Sequence, residues 1–383
     1  MTLGCRSTLP LPAGWPPTSR GREFRPRSAN CPWPKPSMAF VHSGDRGKRR
    51  GFPGSLSAAS RGREFRPRSA SAVVLAALLA SAGAPSPAAA ADLVAKGEEG
   101  RVVVGEVGGA PVASFVYADR AIGRPALRDL RAPGGLLVTR PCPPRPGIDG
   151  DDHATMHPGV MLCFSDLSGA DPWRHKTAVR VTACTPEPGP AGTAAITCVS
   201  EYLDTRADTP AAGVVCRERS RITLSDRALA GHPVRVVTWE GELAAAGTPV
   251  AFGDVEEMGL GIRLIGSLAP RGGGRYLADH GGVNEKEVFG KRAAWVDAAG
   301  EEEGARVGVL VVPAAGRSWR FHARDTGWLL ANPFGSRAYG AAEPGGATLA
   351  PGATLSLRVV LILHGPVPDD ALGRIAAEAA ALR

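Results

Sequence analysis

Short runs of alternating apolar and polar residues, separated by glycine and proline turns, fill the chain from Asp92 onward. Val214–Leu224 and Val234–Leu243 alternate apolar with charged residues, which is typical of antiparallel strands with one exposed face. The run ATLSLRVVLILH at 353–364 is the longest apolar stretch of this body. It predicts a central strand, because a strand covered on both faces needs no polar alternation.

The remaining pattern predicts a two-sheet architecture. The runs 101–107 and 111–117 meet at a Gly-Gly pair and predict a hairpin. Only Asp369–Arg383 (DDALGRIAAEAAALR) indicates a helix, with Asp369 or Asp370 as its expected cap. About fourteen strands and one terminal helix favour an all-β fold, a large antiparallel two-sheet sandwich with one C-terminal helix. Further predicted strands lie at 160–165, 178–184, 194–203, 259–268, 293–296, 306–313, 318–323 and 328–331.

Charge divides the chain unevenly. Residues 1–91 hold 14 Lys/Arg and three acids, so the rest holds 31 basic and 34 acidic residues of the totals 45 and 37. The body therefore has no basic excess, and the sequence argues against a nucleic-acid-binding protein. SRGREFRPRSA occurs at 19–29 and again at 60–70. Residues 1–70 are interpreted as a disordered basic leader, with an over-extended start or duplicated segment favoured over a tethering arm.

Residues 71–91 have the layout of a secretory signal. Basic residues precede about ten apolar ones, and small residues end at Ala89-Ala90-Ala91. The apolar run is shorter than the roughly 20 residues that a membrane span needs. We therefore expect residues 92–383 to form one exported domain, periplasmic or extracellular, without a transmembrane segment.

Five cysteines fall in that expected mature body, and three of them, Cys184, Cys198 and Cys216, lie on successive predicted strands. An oxidising compartment would allow one disulfide among these three. The odd number leaves at least one thiol unpaired, and the spacing does not fit a structural zinc site.

The segment 149–157 concentrates titratable groups. It holds Asp149, Asp151, Asp152, His153 and His157 directly before an apolar strand. Pro158 biases the preceding residue toward an extended conformation, so a loop entering a strand is expected. His153 or His157 would be an acid/base and Asp152 its orienting partner, whereas the alternative is a hydrogen-bonded structural turn.

Other polar groups recur at the predicted strand ends. Glu257 is a candidate second carboxylate, and Arg263 within a strand requires a carboxylate partner from the protein or a ligand. The alternation at 320–324 puts His322 and Arg324 on one face of a strand. Taken alone, the 166–173 segment favours an ordinary turn with a core Trp over a sugar-binding loop, and the charged 284–291 segment favours a solvated loop. The candidate ligand-binding residues are Asp166, Trp173, Arg263, Asn284, Lys291, His322, Arg324 and Asn332.

Several of these runs resemble the bacterial family known as PmoA-like, often labelled "methane oxygenase PmoA" and otherwise a domain of unknown function. The resemblance rests on RAPGG at 131–135, DHATMHPG at 152–159, EEMGLGIR at 256–263, GKRAAWVD at 290–297, FHARDTG at 321–327 and ANPFG at 331–335. The loop before Trp173 departs from the family pattern at Ser165 and Pro172, and Thr326 stands where a tyrosine is common. A membrane-embedded copper subunit, as that label suggests, is not expected here because no apolar run is long enough.

The resemblance implies a galactose-mutarotase-like supersandwich and an association with sugar catabolism. The leading hypothesis is accordingly a carbohydrate-active protein that takes a small-molecule or oligosaccharide ligand in a cleft on one sheet. One alternative is a non-catalytic glycan-binding module. Another is an enzyme that uses a divalent metal as cofactor, held by His153, His157 and either His322 or Asp152.

Overall fold

The protein consists mainly of strands in the computed structural model, which describes residues 91–206 and 213–382. Two α-helices accompany them, α1 (Asn284–Val288) and α2 (Asp369–Ala381). Three short 3-10 helices cover Gly266–Leu268, Pro270–Gly272 and Arg337–Tyr339. In chain order the strands are β1 (Leu93–Glu98), β2 (Arg101–Glu106), β3 (Pro111–Val116), β4 (Ala126–Arg128), β5 (Val160–Phe164), β6 (Ala178–Pro188), β7 (Thr193–Asp204), β8 (Gly213–Leu229), β9 (His232–Ala245), β10 (Val250–Phe252), β11 (Met258–Arg263), β12 (Arg275–Ala278), β13 (Val296–Glu302), β14 (Ala305–Pro313), β15 (Arg320–Arg324), β16 (Trp328–Asn332), β17 (Ala347–Leu349) and β18 (Thr354–His364).

Sixteen of these strands form two antiparallel eight-stranded sheets. The first sheet has the order β1-β2-β3-β4-β5-β11-β16-β15, and the second has the order β12-β13-β14-β18-β9-β8-β7-β6. Strands β10 and β17 make a small separate pair. The predicted all-β sandwich with a C-terminal helix is confirmed, as are the hairpin of β2 with β3 and the central position of β18.

The main core lies between the two sheets, because both contribute alternate side chains to it. Leu260 and Ile262 of β11 enter this core from the first sheet, and Leu361 of β18 enters it from the second. The residues between them on each strand point the opposite way. In β11 these outward residues include Gly261 and Arg263.

The outer face of the second sheet is covered by α2. Leu372 and Ile375 of the helix pack with Val236, Leu310 and other aliphatic side chains of the central strands. The predicted Asp cap of this helix is wrong. Pro368 occupies the N-cap position without a side-chain cap, and Asp369 instead forms an ion pair with Arg275 at 2.6 Å.

Some predicted boundaries were also wrong. The strand expected over 259–268 ends at Arg263, where a 3-10 helix follows. The strand expected over 293–296 starts only at Val296 and continues to Glu302. The chain at 284–288, interpreted as a loop, forms the short helix α1.

Further predictions concern the chain ends and the cysteines. The leader (1–70) and the signal segment up to residue 90 lie outside the described residues. Within the described ranges, no helix combines the length and apolarity that a bilayer crossing requires. The five cysteines in the described part of the chain are free thiols in this structure.

Candidate functional site

Charged and aromatic side chains gather on the outer face of the first sheet. Arg263 of β11 is directly opposite Trp328 of β16, and Trp328 is directly opposite Arg324 of β15. Two residues further along β16, Leu330 is opposite both Gly261 and His322. We call this surface the site face and define it by the outward residues Met161, Cys163, Gly261, Arg263, His322, Arg324, Trp328 and Leu330.

Gly261 allows the indole of Trp328 to lie flat over the sheet. A Cβ atom at this position would be 2.1 Å from Cη2 of Trp328, far inside van der Waals contact. Any side chain would therefore displace the ring. Gly261 of the 256–263 motif is thus needed for the packing of the site face, and Arg263, two residues later, lies on the same face.

A loop at residues 149–158 covers one end of the site face, and we call it the histidine loop. Arg140 is 2% exposed and holds this loop from below. Its guanidinium donates to the carbonyl oxygens of Gly150 at 2.6 Å, Asp152 at 2.9 Å, His153 at 3.4 Å and His157 at 3.3 Å. Arg145 fixes the start of the loop through Asp149 at 2.8 Å. Much of the loop's polarity therefore maintains its own conformation.

Asp152 joins the histidine loop to the sheet. Its Oδ1 atom accepts a hydrogen bond from Arg263 Nη2 at 2.6 Å, and its Oδ2 atom lies 3.4 Å from His153 Nδ1. Burial acts to raise the pKa of Asp152, but the charge of Arg263 and the hydrogen bonds from His153 and Arg263 outweigh it. The pKa therefore lies below its ordinary value, and Asp152 is a carboxylate at neutral pH. The carboxylate partner that the sequence required for Arg263 is Asp152.

The two loop histidines lie in opposite environments. His157 is 5% exposed and stacks on Trp328 at a ring distance of 4.2 Å and on Trp173 at 5.1 Å. Burial, followed by the charges of Arg263 and its neighbours, lowers the pKa of His157 to about 2. His153 stacks on the other side of His157 at 5.0 Å, yet 55% of its side chain is exposed. Only His153 can meet a ligand from solvent, so the expected acid/base role of His157 does not fit its position.

A second polar cluster lies at the opposite side of Trp328. Arg324 donates to Glu285 Oε1 at 2.8 Å, stands 3.6 Å from Glu256 Oε2, and covers the Phe289 ring at 4.2 Å. Its Nε atom also donates to His322 Nε2 at 3.2 Å. Burial and the Arg324 charge lower the pKa of His322 to about 3. His322 is therefore a neutral acceptor for Arg324, and the predicted shared face of these two residues is confirmed.

Glu257 and Trp173 lie near the same face, where each is in contact with an arginine. Glu257 forms an ion pair with Arg174 at 2.5 Å, and its side chain is 17% exposed. Trp173 is fully buried, with the Arg124 guanidinium 4.6 Å above its ring. Its ring faces are covered, so a sugar cannot stack on Trp173 in this conformation.

Three other predicted ligand-binding residues, Asp166, Asn284 and Asn332, hold local structure, and a fourth, Lys291, is exposed. Asp166 accepts from the Gly169 amide at 2.7 Å and closes its own turn. Asn284 accepts from the Tyr276 amide at 2.9 Å at the start of α1. Asn332 is fully buried and donates to the carbonyl oxygens of Val255 and Glu256, both at 2.9 Å. Lys291 is exposed beside His280 and Lys286.

The metal alternative is not supported by the side-chain arrangement. His153 and His157 stack face to face, while His322 belongs to the Arg324 cluster across Trp328. Across residues 91–206 and 213–382, no three His, Cys, Asp or Glu side chains converge as metal ligands would.

Sequence reasoning missed several residues that build this face. Arg140, Arg174, Glu285 and Trp328 were not singled out, and Glu256 was passed over in favour of its neighbour Glu257. Strand alternation gives one signal for Trp328, because Trp328 and Leu330 point away from the core that Leu329 enters. Arg140 binds main-chain oxygens, which every residue carries, and Glu285 meets Arg324 across 39 positions, so no local sequence pattern indicates either contact.

An apolar cavity lies beside α2, on the outer side of the second sheet and away from the site face. It has a volume of ≈ 550 Å³ and lies between α2 and the end of β14. Trp295 and Trp319 line it, with Arg317 at its edge. None of the predicted site residues contributes to it, so it supplies a control location for binding experiments.

Comparison with known proteins identifies the family. No curated protein matches the chain. Residues 102–379 match the model of a family described as "Family of unknown function (DUF6807)". The predicted membership of the PmoA-like family was wrong, because this match is to a different family and none to PmoA was found. The match covers well over half of the chain and includes both large sheets, so the chain belongs to the DUF6807 family.

Proposed function

We propose that this protein binds a carbohydrate at the exposed side chains that border the site face, Asp152, His153, Glu256 and Arg324, with His153 as the group that can exchange a proton with it. The observation that carries the proposal is the row Arg263–Trp328–Arg324. Each arginine holds a partly exposed carboxylate, Asp152 on one side and Glu285 on the other. Two guanidinium–carboxylate groups thus flank one buried indole.

Such pairs suit the chemistry of sugar hydroxyls. A hydroxyl both donates and accepts hydrogen bonds. The partly exposed carboxylates of Asp152 and Glu285 can accept, and the Arg324 guanidinium, which is 40% exposed, can donate. Arg263 and Arg324 are on strands two steps apart, a separation of about 10 Å at the usual strand spacing. A ligand that spans both pairs would contact His153 at one end and Glu256 at the other.

The histidines decide which group could take part in a reaction. His157 and His322 have pKa values of about 2 and about 3, so neither carries a proton at neutral pH. His153, exposed and next to Asp152, is the remaining acid/base candidate among the three. Glu257 is committed to Arg174, so Glu256 replaces it as the second carboxylate of the proposal.

Non-catalytic glycan binding is the second candidate function. It is favoured by the engagement of Asp152 with Arg263 at 2.6 Å, since this carboxylate is already neutralised and orients His153 only weakly. Both candidates keep the predicted export through residues 71–91 and the predicted likeness to galactose-mutarotase-like sandwiches as parts of the proposal. They differ in whether turnover accompanies binding.

A binding screen against mono- and oligosaccharides tests the proposal, with calorimetry on each hit. His153→Ala and Glu256→Gln should each weaken binding about tenfold, the effect of losing one hydrogen bond to a charged or polar partner. Asp151→Ala, at an exposed neighbouring position, should stay within about twofold of the wild type.

The outcomes separate the alternatives. Binding that survives His153→Ala and Glu256→Gln but is lost in Arg317→Ala would move the ligand to the remote cavity and overturn the proposed site. A screen without any saccharide ligand would overturn the carbohydrate class. Turnover of a bound sugar that disappears in His153→Gln while binding persists would favour the catalytic form, and binding without turnover would favour the second candidate.

A further inference from the structure

Two cysteines face each other at the edge of the second sheet. Cys184 of β6 is the direct antiparallel partner of Cys198 of β7. Strand β6 is the outermost strand of this sheet, and most of its residues are partly or fully exposed. Cys198 is 2% exposed within the main core, while Cys184 is half-buried against that core.

The positions of the two thiols suit a covalent bond. Directly opposite residues of antiparallel strands have Cα atoms about 4.5–5.5 Å apart. Disulfides span about 4.4–6.8 Å between Cα atoms. The two side chains lie on the same face of the sheet, because directly opposite residues share a face. A bond between the sulfurs therefore needs rotation of side chains and no rearrangement of the sheet.

The other described cysteines lack such a partner. Cys216 is opposite Tyr202 on β7 and Ala245 on β9, and Cys163 is opposite Gly259 on β11. Cys142 lies in the loop between β4 and β5. Among residues 91–206 and 213–382, Cys184 and Cys198 are the one pair of cysteines that share a register position.

We propose that Cys184 and Cys198 are an oxidation site that forms a cross-strand disulfide by exchange with a small disulfide such as oxidised glutathione. The Cys184 thiolate attacks one sulfur of the oxidant and bonds to it, while the other sulfur leaves as a thiolate and takes up a proton. A mixed disulfide on Cys184 results. Cys198 then loses its proton and attacks the Cys184 sulfur, and the second oxidant sulfur leaves. Two cysteine thiols are oxidised, and one disulfide is reduced to two thiols.

Exposure assigns the order of the two steps. The oxidant can reach Cys184 at the half-buried position, whereas Cys198 is enclosed by the core. The contact with Cys184 and burial both raise the pKa of the Cys198 thiol, which keeps it protonated until its neighbour has reacted. Cys184 is therefore the attacking thiol and Cys198 the resolving thiol. The bond would fix the edge strand β6 to β7, where an exposed edge otherwise invites pairing with other chains.

A single tryptic peptide reports the bond. Residues 181–206 contain both cysteines and no internal Lys or Arg. The folded full chain is incubated with oxidised glutathione, denatured without reductant, alkylated and digested. Peptide 181–206 should lack both alkyl groups and two hydrogens. A doubly alkylated peptide 181–206 would overturn the proposal.

Single substitutions test the order of the steps. In Cys198→Ala the reaction should stop with glutathione attached to Cys184, and in Cys184→Ala the folded protein should leave Cys198 unmodified. Cys216→Ala is the control and should still form the bond. Glutathione on Cys198 of Cys184→Ala as rapidly as on Cys184 of Cys198→Ala would overturn the assigned roles. The wild-type peptide stays decisive for the bond itself if a variant fails to fold.

Discussion

The two large sheets share one core but present very different outer faces. The second sheet meets α2 through aliphatic side chains such as Val236 and Ile375. The outer face of the first sheet instead carries Arg263, Trp328 and the histidine loop. One face is closed by the hydrophobic effect, while the other is closed by hydrogen bonds and stacked rings.

The helix-covered face of the second sheet contributes stability, whereas the polar face of the first sheet carries the groups that could recognise a ligand. Apolar burial of a helix stabilises a sheet and offers a ligand nothing to recognise. Burying Arg140 and Arg263, each at most 2% exposed, is costly and is tolerated only because partners are in place. Such an arrangement is what we expect where a surface is built for recognition.

Breaking the ion pair on the site face should have the largest effect. Asp152→Ala leaves the Arg263 guanidinium buried without its carboxylate, which should lower the free energy of unfolding by about 4 kcal/mol. Urea denaturation followed by circular dichroism measures it. The adjacent Asp151 is exposed, so Asp151→Ala should change stability by less than about 0.5 kcal/mol. An equal decrease in the free energy of unfolding in both variants would show that the contact between Asp152 and Arg263 does not stabilise the protein.

Truncating the helix-covered face should be somewhat less costly and leave recognition intact. Ile375 is fully buried against the second sheet, and Ile375→Ala should lower the free energy of unfolding by about 3 kcal/mol. Sugar binding, measured by calorimetry well below the melting temperature, should match the wild type. Ala377→Ser on the exposed side of α2 is the matched control. Weakened binding in Ile375→Ala alone would contradict the independence of the two faces.

Acid should lower the free energy of unfolding through His157 in the histidine loop. His157 has a pKa of about 2 in the folded protein, against an ordinary value of 6.5. Between these values the unfolded chain binds a proton that the folded protein does not, so stability falls as the pH falls below 6.5. The loss attributable to His157 from pH 6.5 to pH 5 should be about 2 kcal/mol.

The readout of that prediction is the slope of the free energy of unfolding against pH, and not its absolute value. His157→Gln removes the titrating group, so its stability should decline less between pH 6.5 and pH 5, measured by urea titration at each pH. His364 has the opposite sign. Burial acts to lower its pKa, but Asp297 at 2.9 Å raises it above the ordinary value. The contribution of His364 to the free energy of unfolding is therefore complete below pH 6.5 and is lost as the pH rises through its folded-state pKa. An unchanged slope in His157→Gln would contradict the buried neutral imidazole.

Local pattern predicted the fold better than the site. β18 and α2 were visible because unbroken apolar runs and alanine-rich helical sequences report their own conformation. β4, with three residues, and the polar edge strand β1 give no such signal. Alternation within β15 also predicted correctly that His322 and Arg324 share a face.

The remaining site geometry depends on contacts between distant segments. Asp152 meets Arg263 across 111 positions of sequence, and Arg324 meets Glu285 across 39. A sequence shows that Arg263 needs an acid but does not say which one. The same limit explains why His157 was a candidate acid/base, since its burial is set by Trp173 and Trp328 from other parts of the chain.

The grip of Arg140 on four carbonyl oxygens has a consequence for redesign of this protein. Main-chain atoms are the same for every amino acid, so the path of residues 150–157 is insensitive to most side chains on its outer side. Asp151, His153 and Thr155 occupy alternate outward positions there. New ligand preferences could be introduced at these three sites, whereas an insertion would put the carbonyl groups out of reach of the guanidinium.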